Sequence, residues 1–190
     1  MPKQKLVSVS DFQHSRLHSP RSIRVLNLRP SEDLSDPVEV SLFEVTLDEL
    51  HSKQQSYEAL SYVWGAPTGS VPCLCDGKEL LITPSCDDAL RHLRLPDEHR
   101  NLWVDAICID QASDEDSIEE RNTQITLMGE VYRTAKRTLC WFGISEEYTA
   151  GTFERLRQMG SCSSNRELKK LLRYDGTERL PRSHIDTELF

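Results

Sequence analysis

The chain has 190 residues, 37% of them hydrophobic and 28% charged, with a formal net charge of -8 at pH 7. That length suits one ordinary domain with a sizeable core and a short appendage. The acidic balance counts against a protein whose main partner is a phosphate backbone, which binds through Lys and Arg, and no window has the apolar length of a membrane span.

Residues 1–21 are polar, rich in Ser, His and Arg, and lack the apolar stretch of a secretory signal, so a flexible leader is expected. "SIRVLNL" and "VEVSLFEV" then read as two strands joined by the loop-forming "RPSEDLSDP". "YEALSYVWG" is a third strand that exits at Gly65. In "VPCLCDGKELLI" the Asp76-Gly77 pair marks the tight turn of a β-hairpin. "TPSCDDALRHLRLP" reads as a short helix capped by Thr83 or Ser85 and stopped by Pro96.

"NLWVDAICIDQ", 101–111, reads as a buried strand with Asp105 in its middle and Asp110 and Gln111 at its exit. A helix over 117–135 follows, with Ile118, Ile125, Met128, Val131, Tyr132 and Ala135 expected on its inner face. "RTLCWFG" is a last buried strand. Strand–helix–strand–helix–strand order from Tyr57 to Gly143 predicts an α/β domain over 22–145, with a largely parallel sheet flanked by helices. The N-terminal strand pair and the hairpin are additions to it. Residues 146–190 are polar with two amphipathic stretches, and are read as a helical extension that completes the domain or links it to a further C-terminal region.

The six cysteines fit reduced thiols in a cytoplasmic protein, because Cys108 and Cys140 fall in apolar runs and Cys73-x-Cys75 has no second ligand pair at zinc spacing. No metal site is therefore expected. The chain contains no dinucleotide or phosphate-loop glycine motif, no nucleophile elbow and no zinc-protease motif.

In a parallel sheet, ligands sit at the carboxyl ends of the strands. Those ends here gather Trp64 and Gly65 with Asp105, Asp110 and Gln111. Trp64 reads either as packing or as a surface on which a base stacks. Asp105, inside an apolar run, reads either as an internally paired acid or as a ligand contact. Glu120 follows Ser117 at capping-box spacing and stands four residues before Gln124 on one helix face. Its two readings are a cap and an acid that stabilises a developing cation.

"YEALSYVWG", "LWVDAICIDQ" with "EERNTQITLMGEVYRTA", and "RTLCWFG" resemble, in order and spacing, the three blocks of the fungal heterokaryon-incompatibility (HET) domain. Asp110 stands where that family often has Asn. The resemblance implies an effector of fungal non-self recognition that triggers programmed cell death, joined to a regulatory or sensor region. The family has been likened to Toll/interleukin-1 receptor (TIR) domains, which implies a flavodoxin-like sheet. It implies two mechanisms. In one, NAD or a related nucleotide is the substrate, no cofactor is needed, Glu120 is the catalytic acid, and Trp64, Gly65, Asp105, Asp110, Gln111 and Gln124 hold the nucleotide. Glu146, Glu147 or Glu154 would fit the order of elements in catalytic TIR domains better than Glu120. In the other, the domain self-associates and kills through recruited partners without catalysis.

Overall fold

The computed structural model describes residues 12–50, 56–66 and 69–143. The chain divides into two compact units after Trp141, and the elements named below all lie in the first. The strand β1 (Ser22–Leu28) sits inside the sheet, where Ile23, Val25, Leu26 and Leu28 are at most 1% exposed. Burial on both faces explains why its sequence does not alternate cleanly. The strand β2 (Glu39–Thr46) pairs with it antiparallel, placing Leu26 opposite Leu42 and Val25 opposite Phe43. A single helical turn, α1 (Leu47–Leu50), follows.

With β3 (Glu58–Tyr62), β4 (Val71–Cys75), β5 (Lys78–Ile82), β6 (Arg100–Trp103) and β7 (Thr138–Trp141), these strands make a seven-stranded sheet of order β5-β4-β2-β1-β6-β3-β7. The expected α/β architecture, with its additional N-terminal pair and hairpin, is the one observed. Parallel pairing joins β6 to β3, β3 to β7 and β2 to β4, while the other neighbours are antiparallel. At the β4–β5 turn Asp76 has φ 50° and Gly77 φ 75°. Positive φ at both central residues is what a primed two-residue turn demands, and Asp-Gly supplies it cheaply.

The helix α2 (Pro84–Leu93) starts at Thr83, whose hydroxyl accepts from the Cys86 amide, with Pro84 in the first turn where its missing N–H costs nothing. It buries Cys86, Ala89 and Leu90.

Two expectations need correction. The strand expected over 101–111 ends at Trp103, and the chain turns into the short helix α3 (Asp105–Cys108). The amides of Ile107 and Cys108 both bond the Val104 carbonyl, and the Asp105 carboxylate takes the Ala106 amide, so local bonds replace the ladder. Asp105 therefore opens a turn after the strand and does not interrupt it.

The long helix α4 (Glu115–Thr134) is capped by Asp114, whose carboxylate accepts from the Ser117 amide at 3.0 Å. The expected cap, Ser117, lies inside the helix, and the Ser117–Glu120 capping box does not form. The face turned inward is the expected one from Met128 onward but differs in the turns before it. Ser117, Gln124 and Val131 are buried at sevenfold spacing, while Ile118 and Ile125 are 40% and 54% exposed. The polar inward groups are held by specific partners, described below, and this lets the helix face the sheet without Ile118 or Ile125. Further along, Met128, Tyr132 and Ala135 do pack on the core, with Tyr132 edge-on to Trp103 at 5.5 Å between ring centroids.

At the amino ends of the three parallel strands, Glu58 is 8% exposed and takes the guanidinium groups of Arg100 and Arg137. Burial pushes its pKa up, and the two arginines outweigh burial, holding it below the ordinary carboxylate value. This ion triad ties the starts of β3, β6 and β7 and leaves their opposite ends for the candidate site.

Candidate functional site

At the carboxyl ends of β3 and β6 the indole Nε1–H of Trp64 donates to both carboxylate oxygens of Asp105, at 3.1 and 3.0 Å. Gln111 turns back and donates from Nε2 to the carbonyls of Asp105 and Ile109. Burial raises the Asp105 pKa against the opposing pull of the Trp64 and Ala106 donors. Asp105 is paired internally and locks the Trp64 loop to the turn after β6. Gly65, at φ 74°, lets the chain leave β3 in a left-handed conformation that a side chain would strain.

A second cluster is built from β1, the α3–α4 loop and α4. Because β1 runs antiparallel to β6 with Leu26 opposite Leu102, Arg24 comes level with the exit of β6. Its guanidinium, 4% exposed, donates to both oxygens of Glu120 at 2.6 and 2.8 Å, and also to the carbonyls of Cys108 and Ser15. Asp110 accepts from the Ala112 amide at 2.9 Å, and the Ser117 hydroxyl, with one proton to give, lies 2.7 Å from Asp114 and 3.1 Å from Asp110. Gln124, 1% exposed, donates from Nε2 to the Ser22 carbonyl, while its Oε1 accepts no hydrogen bond among the described residues.

Residues 12–20, assigned above to the leader, run along this cluster. His14 places Nε2 2.7 Å from the Ile107 carbonyl and Nδ1 3.5 Å from Asp110. A carbonyl can only accept, so Nε2 carries a proton there, and Nδ1 faces the Asp110 carboxylate. Burial holds His14 below its ordinary pKa, outweighing the Ile107 bond and the nearby Asp110 and Glu120 charges. Between residues 12–20 and the start of α4 lies a cavity of about 570 Å³.

The expected site residues thus fall into two groups. Asp110, Glu120 and Gln124 line the cavity; Trp64, Gly65, Asp105 and Gln111 do not. Glu146, Glu147 and Glu154 lie outside the described residues. His14 and Arg24 were missed. Arg24 had a signal, a lone cation in a strand otherwise made of Ser, Ile, Val, Leu and Asn, whereas His14 had none. Chemically, the cavity sets five carboxylates, those of Asp110, Asp114, Asp116, Glu119 and Glu120, against one lining arginine, Arg16. Such a wall repels phosphate.

The family model for "Heterokaryon incompatibility protein (HET)" matches residues 57–187, more than half of the chain. The chain belongs to the HET family. The match takes in β3, α2, β6, α4 and β7, and with them the Trp64–Asp105 lock and Glu120. Arg24 and His14 lie before its start. This HET chain is also 31% identical over 151 residues to "Heterokaryon incompatibility protein 6, OR allele" of Neurospora crassa, an alignment covering 73% of this chain and 21% of that protein. The chain thus spans about a fifth of that relative's length. No solved structure matches it.

Proposed function

We propose that this HET domain is the death-triggering effector of a fungal non-self recognition protein, acting in the cytoplasm by self-association and recruitment of partners. Family membership supports the recognition role. One observation carries the choice of mechanism: both carboxylate oxygens of Glu120 are engaged by the buried guanidinium of Arg24. A carboxylate that is to stabilise an oxocarbenium ion must face the sugar with its charge uncompensated. Glu120 is compensated, and the acidic wall around it disfavours the two phosphates of NAD. In the same reading, the free thiols of the described cysteines suit a reducing compartment.

The rival reading, cleavage of the nicotinamide–ribose bond, draws on the cavity itself, a side-chain-lined space of about 570 Å³ beside Asp110 and Glu120. The full chain, held at high concentration and also fused to a chemically induced dimeriser, separates the two. Release of nicotinamide from NAD is expected to stay at the background of a heat-inactivated sample in both states. Dimeriser-dependent release above background would overturn the assembly reading and reinstate an enzyme.

A further inference from the structure

We infer that the solvent face of α4 is a self-association surface, on which the same helix of a second copy of this chain docks antiparallel about a two-fold axis. This rests on the assembly reading above and names the surface that such assembly uses.

Helix α4 turns Ser117, Gln124 and Val131 toward the sheet. Its opposite face carries Ile118, Asn122, Ile125 and Gly129 in one exposed stripe. The two isoleucines are 40% and 54% exposed, apolar side chains that the core does not use. Gly129 adds a second observation. A glycine inside a helix destabilises it relative to alanine. Nothing among the described residues demands one here, since a Cβ at Gly129 would meet no atom within 4 Å. A bare backbone is what a closely approaching neighbour needs.

Two features select a second copy as that neighbour. The first is symmetry. A two-fold contact requires a patch that complements itself. The stripe is spaced by four, three and four residues, so it reads the same from either end. Antiparallel pairing therefore sets Ile118 of each copy against the bare backbone at Gly129 of the other, with Asn122 against Ile125.

The second feature is charge. Glu115 and Glu119 stand exposed in the first turns of α4, Arg133 in its last turn and Lys136 just beyond. None of these four makes an ion pair among the described residues. Glu115 and Arg133 are separated by about five whole helical turns, which puts them on the same side of the helix. Parallel pairing would oppose like charges. Antiparallel pairing brings the acidic end of each copy onto the basic end of the other and opposes the two helix dipoles favourably. A single helix pair is a small contact, so it is weak between free chains and forms when chains are gathered at high local concentration.

Sedimentation equilibrium of the full chain over a concentration series tests this surface. A monomer–dimer equilibrium is expected for the wild type. Glu115→Lys/Glu119→Lys and Arg133→Glu/Lys136→Glu each set like charges against each other at both ends of the pair, and each should weaken dimerisation by about tenfold. All four positions are exposed, so both variants keep the fold. An equimolar mixture of the two restores every attraction and should dimerise as the wild type does. Gly129→Gln should raise the melting temperature, because glutamine is the better helix former, and yet weaken dimerisation; damage to the fold does not produce that combination. Variants that dimerise as the wild type does, or a mixture no stronger than its components, overturn this surface and leave the assembly reading standing. A wild type that stays monomeric throughout overturns the surface as well. Release of nicotinamide in the assay above instead overturns the reading on which it rests, so the two failures are told apart.

Discussion

Glu120 and Arg24 act as one unit, and the energetics follow from their burial. Removing one partner leaves the other charge buried and unpaired, which costs about 3–5 kcal/mol, whereas replacing both by apolar residues of similar volume is close to neutral. Glu120→Met and Arg24→Met should each lower the unfolding free energy by about that much, and Arg24→Met/Glu120→Met should recover most of it. Urea denaturation of the four proteins in a double-mutant cycle measures this directly. His14 supplies a pH dependence of known sign. Its folded pKa lies below the ordinary 6.5, so the unfolded chain binds the proton first as pH falls. The contribution of His14 is intact above pH 6.5 and is lost as pH drops from there through the lowered folded value. Arg24 reinforces that depression, while Asp110 and Glu120, the carboxylates facing the ring, oppose it. In His14→Gln the fall in melting temperature between pH 7 and pH 5 should be smaller than in the wild type. An equal fall in both proteins would place the proton elsewhere.

Among the elements, α4 is the most informative, because its phase is fixed by its cap. Asp114→Ala should cost about 1 kcal/mol of stability, the ordinary value of a lost N-cap side chain, read as a shift in the denaturation midpoint with unchanged slope. The strands of the sheet were legible in the sequence because turn residues such as Asp76-Gly77 and apolar runs such as Ser22–Leu28 report local geometry. What escaped were choices made by tertiary partners. The inward face of α4 carries Ser117, Glu120 and Gln124 because Asp110, Arg24 and the Ser22 carbonyl are there to meet them, and hydrophobic spacing alone selected Ile118 and Ile125 instead. The continuous apolar run 102–109 hid the break after Trp103, since nothing in its periodicity reports that the Asp105 carboxylate would take up Trp64 and a local amide. In the candidate site, Glu120 and Gln124 were legible as neighbours from their helical spacing, whereas Asp110 was expected at the strand ends with Trp64 and Asp105. Arg24 and His14, remote in sequence, were not legible.

At the scale of the molecule, the sheet separates two kinds of buried charge. The Glu58–Arg100–Arg137 triad fastens the amino ends of the three parallel strands, and the Arg24–Glu120 pair stands level with their carboxyl ends beside an acidic cavity. If Glu120 is structural, the domain's biological output must survive its removal once the buried charge of Arg24 is removed with it. The direct measurement is cell death in a fungal host expressing the wild-type chain, Glu120→Met, or Arg24→Met/Glu120→Met at matched levels and forced to assemble. The account predicts that death is weakened in the destabilised single variant and restored in the double variant. A double variant that is as stable as the wild type yet fails to kill would contradict it and return Glu120 to catalysis.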